Sequence, residues 1–176
     1  AAARAAVLDV ARSVRLLAAL EEHDVALLYQ IAVHELRNVL EPDPDIPGLP
    51  PATFFRVIDG TGHVLPPPRE APRVGLLEEG TQWTEQIAVA GRTAAAKRVQ
   101  SMGYLAPVVG GHRMLNQVIV TPIIDRATKT ASGALVVAFP ASANDAASGR
   151  IARDRIRAVE IVISPSPASP RRSCRP

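Results

Sequence analysis

The chain has 176 residues, 47% hydrophobic and 21% charged, enough for one globular domain with a real core and too few for two comfortable ones. Its formal charge of +3 arises at the C-terminal end. There Arg150, Arg153, Arg155, Arg157, Arg171, Arg172 and Arg175 oppose Asp154 and Glu160, a net of +5, which leaves −2 on residues 1–149. A mildly acidic body lacks the clustered basic face that phosphate binding needs, so no nucleic-acid partner is expected. The lone cysteine, Cys174, can form neither an internal disulfide nor a thiolate metal cage. No run of about 18 apolar residues exists to span a bilayer. The N-terminal alanine-rich stretch lacks the concentrated apolar core of a signal peptide. Starting without Met, directly in a helical pattern, the chain is expected to be a piece of a longer protein.

Residues 4–20 have helical periodicity, with Val7, Val10, Val14 and Leu17 recurring at 3-4-3 spacing and Leu8, Ala11, Ala18 and Leu20 widening the stripe. One amphipathic helix lying on a sheet is the plain reading. A seam between two copies is the sharper one, though two heptads are few for it. Asp24 is a suitable N-cap for a second helix over about 25–40, whose apolar face is Val25, Leu28, Ala32, Leu36 and Val39. Within it, His34-Glu35-Leu36-Arg37-Asn38 resembles a zinc-protease motif, but Asn stands where the second histidine is required. These are expected to be solvent-facing polar groups. Residues 41–51 then hold five prolines and form a stiff connector.

Ala52 to Leu65 is the clearest element: a strand rich in Phe, Val and Ile, the turn Asp59-Gly60-Thr61-Gly62, and a second strand. Asp bonds to its own backbone in such turns, and Gly tolerates positive φ. Phe54, Arg56 and Ile58 share one face of the first strand, Phe55, Val57 and Asp59 the other. Both faces are largely apolar, so the strand is expected to be covered on both sides. Arg56 then needs a carboxylate partner, a ligand, or an escape to the sheet edge.

Pro66-Pro67-Pro68 ends the hairpin, and a long insert runs to about Gly111. A helix is predicted over 81–97, with Trp83, Ile87, Ala90 and Ala94 on one side, followed by a short strand within 99–109 carrying Tyr104. Inserts of this size are more often functional than decorative, and this one holds the only Trp. Gly110-Gly111-His112-Arg113 turns into a strand over 115–124, where Pro122 implies an edge or a bulge. Gly133–Phe139 is entirely apolar and hence a central strand. From 141 the composition shifts; 156–163 suits one more strand or helical turn, and the Pro/Ser/Arg-rich segment after 164 is expected to be disordered.

Catalytic constellations are missing. There is no GxSxG elbow, phosphate loop or strand-linked GxGxxG, and His23, His34, His63 and His112 have no metal-ligand spacing. Asp59 and Asp125 could form a carboxylate pair, yet both sit where turns want Asp for backbone reasons. No cofactor and no enzymatic activity are expected of this chain.

The order of elements carries a resemblance. A helical N-terminus precedes a strand ending Asp59-Gly60-x-Gly62-x-Val64. A long insert, a strand ending Thr121-Pro122-Ile123-x-Asp125, a polar loop and Ser132-Gly133-Ala134-Leu135-Val136-Val137 follow. Over roughly residues 5–140 this resembles the Cache sensor domains, relatives of PAS domains in the extracytoplasmic parts of bacterial receptors, cyclases and histidine kinases. Its short motifs also occur in cytoplasmic PAS and GAF domains.

The resemblance implies an α+β fold: an antiparallel sheet of five or six strands, a long N-terminal helix behind it and an irregular helical insert. Residues 1–140 would be the domain and 141–176 an extension. It implies a periplasmic small-molecule sensor between membrane spans, with its pocket between sheet and insert. The Arg-x-Trp-Tyr sequence of the amino-acid-binding subgroup is not matched here. On chemistry, the ligand-binding candidates are Arg56 and Arg113 to grip an anion, Trp83 and Tyr104 to wall it, and Gln117 to orient it. A membrane association would run through flanking segments. The alternatives are a structural dimerisation module joined through the N-terminal helix, and a cytoplasmic PAS/GAF-type domain holding a cofactor.

Overall fold

Five antiparallel strands make the sheet that organises the protein. The structure, a computed structural model, describes residues 2–42, 50–69, 71, 82–106, 108–109, 112–113 and 115–141; for Gln82, Val108, Val109, His112 and Arg113 it describes the backbone alone. The strands are β1 (Phe54–Asp59), β2 (Val64–Leu65), β3 (Ser101–Leu105), β6 (Asn116–Ile124) and β7 (Ala131–Pro140), in the order β2-β1-β7-β6-β3. A separate two-stranded ribbon pairs β4 (Val108–Val109) with β5 (His112–Arg113). The class is α+β, as expected.

β7 lies at the centre, as its unbroken apolar run requires: it pairs with β1 from Phe54↔Ala138 to Asp59↔Gly133 and with β6 along nearly its whole length. Pro122 finds the kind of place anticipated for it. The β3 partners of β6 end at Val120, so Pro122 lies beyond them, and the register shifts between Ile123 and Ile124. Gly133 must be glycine, because a Cβ there would run into Ile58 O and Leu20 Cδ2.

The sheet has two dry faces. Phe55, Val57, Ile119, Ile123, Leu135, Val137 and Phe139 point to one side and pack under the N-terminal helices. Phe54, Ile58, Leu105, Val118, Val120, Ala134, Val136 and Ala138 point to the other and pack under α5 (Gln82–Lys97). Alternation along each strand sorts these two sets. Trp83, Ile87, Ala90 and Ala94, spaced for one helical face, are all buried against the second side.

The N-terminal helix is not continuous. It divides into α1 (Ala2–Ala11) and α2 (Val14–Glu21), with Ser13 extended at φ −63°, ψ 124° between them. The break reassigns the apolar stripe. Val7 and Val10 are buried in the core, whereas Val14 is 72% exposed and Leu16, Ala19 and Leu20 take over the contact. A straight helix would have kept Val14 in line with Val7 and Val10; redirecting the chain buries larger leucines instead. The second helix also divides, into α3 (Val25–Glu35) and α4 (Arg37–Leu40), while Leu28, Ala32, Leu36 and Val39 remain buried as a set. Asp24 caps α3, accepting from Leu27 N at 3.0 Å. His34 and Asn38 are exposed.

Polar bonds fasten the helices to the sheet and to one another. Tyr29 of α3 stacks on Phe55, with ring centroids 5.4 Å apart, and its hydroxyl donates to Leu65 O at 2.7 Å, fastening the short edge strand β2. Gln100, just after α5, donates from Nε2 to Arg4 O on α1 and to the Oγ1 of buried Thr121, while Arg4 Nε donates back to Gln100 Oε1 at 2.9 Å. The connector over 43–49, the insert over 72–81, Gly110-Gly111 and everything from 142 onward lie outside the described residues.

Candidate functional site

Arg56 is buried, at 3% exposure, on the α5 side of β1. Its Nη1 donates to Phe55 O at 2.6 Å, and its guanidinium carbon stands 5.9 Å from the Phe54 ring centre and 6.0 Å from that of Trp83. Phe54 and Trp83 are themselves 6.3 Å apart and tilted by 54°. The result is a cation held among two aromatic faces, a setting that lowers the cost of burying a guanidinium.

Of the five predicted ligand-binding residues, the structure thus brings Arg56 and Trp83 together. Tyr104 and Gln117 belong to the opposite side. Tyr104 stands across from Gln117, and Gln117 from Phe139, a member of the core beneath the N-terminal helices. Directly opposed residues share a face, so the sheet separates this pair from Arg56. For Arg113 the backbone pairs with Val108, and its side chain is outside the description. These residues therefore do not line one common cavity.

A cleft of about 270 Å³ opens nearby, where the β1–β2 turn meets α5. Thr61, Gly62, His63 and Val64 line it from the hairpin, Thr84, Glu85, Ala88 and Arg92 from the helix. The turn wall is rigidly specified. Asp59 Oδ1 accepts from Thr61 N at 2.9 Å, Thr61 Oγ1 at 2.6 Å and His63 N at 3.0 Å, while Gly62 adopts φ +87°. Burial acts to raise the Asp59 pKa. The hydrogen bonds from the Thr61 hydroxyl and from the His63 and Thr61 amides, with the nearby His63 charge, outweigh it and hold the carboxyl below the usual range.

Asp125 has the same job elsewhere. It caps the β6–β7 loop through Thr128 and Ala127, whose hydrogen bonds also lower its pKa. Each aspartate serves its own turn.

On the helix wall, Arg92 Nη2 donates to Glu85 Oε1 at 3.0 Å and Nη1 reaches Gly62 O at 3.4 Å. Thr84 Oγ1 is shielded from solvent and has no hydrogen-bond partner among the described residues. Val64 and Ala88 supply the apolar part of the lining. One guanidinium, one carboxylate and an imidazole beside these apolar groups can bind and orient a small polar molecule. Sequence reasoning passed over Arg92, Glu85 and His63 as site residues. The available signal was the placement of Glu85 and Arg92 two helical turns apart, on a helix following a D-G hairpin.

Among the described residues no cluster of His, Cys, Asp or Glu could hold a metal ion, and no helix is long and apolar enough to cross a membrane. No protein-family model matches the chain, and no curated protein matches it.

Proposed function

We propose that this chain is a non-catalytic small-molecule-sensing domain of the Cache or PAS-like kind. On this reading it is the extracytoplasmic part of a bacterial transmembrane signal-transduction protein of cyclase, histidine kinase or chemoreceptor type. The observation that carries the reading is the position of the insert helix. α5 covers the sheet face away from the N-terminal helices and leaves a polar-rimmed cleft where it meets the hairpin. The resemblance implies a sheet with helices behind it and a ligand between sheet and insert; here α5 packs directly on the sheet, and the cleft that supports the reading lies at its edge, against the hairpin turn.

A signalling route is supported by the same contacts. A ligand in the cleft touches α5 and the β1–β2 turn together. The far end of α5 runs into Gln100, which is bonded to Arg4 on α1 and to Thr121 on β6. Occupancy that shifts α5 would thereby reach the N-terminal helix. A ligand moves such an equilibrium by its difference in affinity for the two states, and by no more.

The test is a thermal-shift screen of the purified chain against small carboxylates, amino acids, purines and polyamines. A binder at 100 times its Kd adds about 2.7 kcal/mol to stability, which for a domain of this size is a rise of several degrees in Tm. Silence across the panel, from a protein that melts cooperatively, would defeat the sensing function.

A further inference from the structure

We propose that the cleft between the hairpin turn and α5 takes a compact organic anion, and that Glu85 is a resident competitor that occupies Arg92 when no ligand is bound. This rests on the sensing function above and names the ligand chemistry of that same cleft. Seven residues separate Glu85 from Arg92, about 10.5 Å along a helix axis. Ordinary i to i+4 pairing does not account for their contact. Arg92 lies across Gly62, where a Cβ would overlap its Cγ and Cδ, so the missing side chain at the turn makes room for the arginine stem. The guanidinium then ends on Glu85 at 3.0 Å and Gly62 O at 3.4 Å, at the lip of the cleft.

This pair is open to exchange. The Arg92 and Glu85 side chains are 47% and 72% exposed, and ion pairs so exposed contribute little. An incoming carboxylate or phosphate can take the planar guanidinium fork through two N–H groups, releasing Glu85 to water at small cost. Val64 and Ala88 would meet the apolar body of the anion. A volume of about 270 Å³ suits a compact body rather than an extended one.

Isothermal titration calorimetry on the chain, with propionate and with methyl phosphate as separate probes and propionamide as the uncharged control, tests this. At least one anion should bind the unaltered protein and propionamide should not. Glu85→Gln should bind that anion up to about fivefold more tightly, because the internal rival is gone. Arg92→Gln, at an exposed site where circular dichroism can verify folding, should lose binding. Preference between the two probes separates a carboxylate from a phosphate ligand. Equal or weaker binding by Glu85→Gln, or binding that survives Arg92→Gln, overturns the proposal. Shifts by purines or polyamines that persist in Arg92→Gln would leave sensing intact while ending the anion assignment; no shift by any compound ends both.

Discussion

Gly91 rests directly on Ile58. A Cβ at position 91 would overlap Ile58 Cδ1, so glycine is what lets α5 approach β1 closely enough to seal the second face of the sheet. Gly91→Ala is therefore expected to lower stability, despite the better helix propensity of alanine. Overpacking costs about 1–3 kcal/mol, against about 0.5–1 kcal/mol regained from propensity. Ile58→Val removes the offending Cδ1. In that background the alanine should cost less or even stabilise, a coupling that a double-mutant cycle by urea denaturation would measure. Additive effects would show that α5 does not press on Ile58.

Edge strand β2 is two residues long, and Tyr29 holds it from the helical side. Tyr29→Phe keeps the stacking on Phe55 and deletes the hydroxyl that donates to Leu65 O. The expected loss is about 1 kcal/mol. It should appear locally as faster amide exchange at Val64 and Leu65, with exchange in the central strand β7 unchanged. Uniform acceleration throughout the sheet would mean that the bond serves the whole fold rather than its edge.

Acid should weaken the protein through its turns. The Asp59 pKa is held below its ordinary value in the fold, so its stabilising contribution is present above the unfolded value of about 3.9. It is lost as pH falls through the lower folded value. Asp125 acts with the same sign. Asp59→Asn removes one titrating group, so the stability profile between about pH 5 and pH 2 should be shallower than that of the unaltered chain. Urea midpoints collected down that range provide the check; an unchanged acid limb would show that the Asp59 hydrogen bonds do not favour its ionised form.

Much of this fold was legible in the residues themselves. The D-G turn announced the β1–β2 hairpin, the unpolar run of Gly133–Phe139 announced a central strand, and the Trp83/Ile87/Ala90/Ala94 spacing announced the buried face of α5. The break at Arg12–Ser13 was hidden because Val14 continues the 3-4 spacing of Val7 and Val10 as faithfully as a core residue would. The site was harder for a different reason. Alternation within one strand says which residues share a face, but whether Arg56 and Gln117 share one depends on strand order and register. Those are set by pairing across some sixty residues of chain. The spacing of Glu85 and Arg92 is visible on their helix, but the Arg92–Gly62 contact joins that helix to a turn thirty residues before it, and no local periodicity encodes that.

Gln100 is the polar rivet between the two halves of the fold. Gln100→Leu would leave the Oγ1 of fully buried Thr121 and the Arg4 carbonyl short of their donor. A cost of about 1–3 kcal/mol follows from an unsatisfied buried group. Gln100→Leu combined with Thr121→Val removes both ends of one bond and should recover part of that loss. If the double variant is no better than the single one, the penalty comes from Arg4 and the α1 contact instead.

The division of the N-terminal helix makes Val7 and Val14 unequal, although the sequence presents them as equivalents seven residues apart. Val7 is fully buried and Val14 is 72% exposed. Val7→Ala should cost about 1–3 kcal/mol through the lost methyl groups and the cavity they leave. Val14→Ser, at a solvent-facing position, should stay within about 0.5 kcal/mol of the parent. A third variant at the same position probes association through this helix. With Val7 and Val10 committed to the core, a seam built on the Val7/Val10/Val14/Leu17 stripe has only its outer half to offer. Val14→Asp would place a charge in the middle of it. Sedimentation equilibrium on Val14→Asp is expected to match the unaltered chain; a fall in mass would establish a dimer that uses Val14 and would place the helix break at its interface.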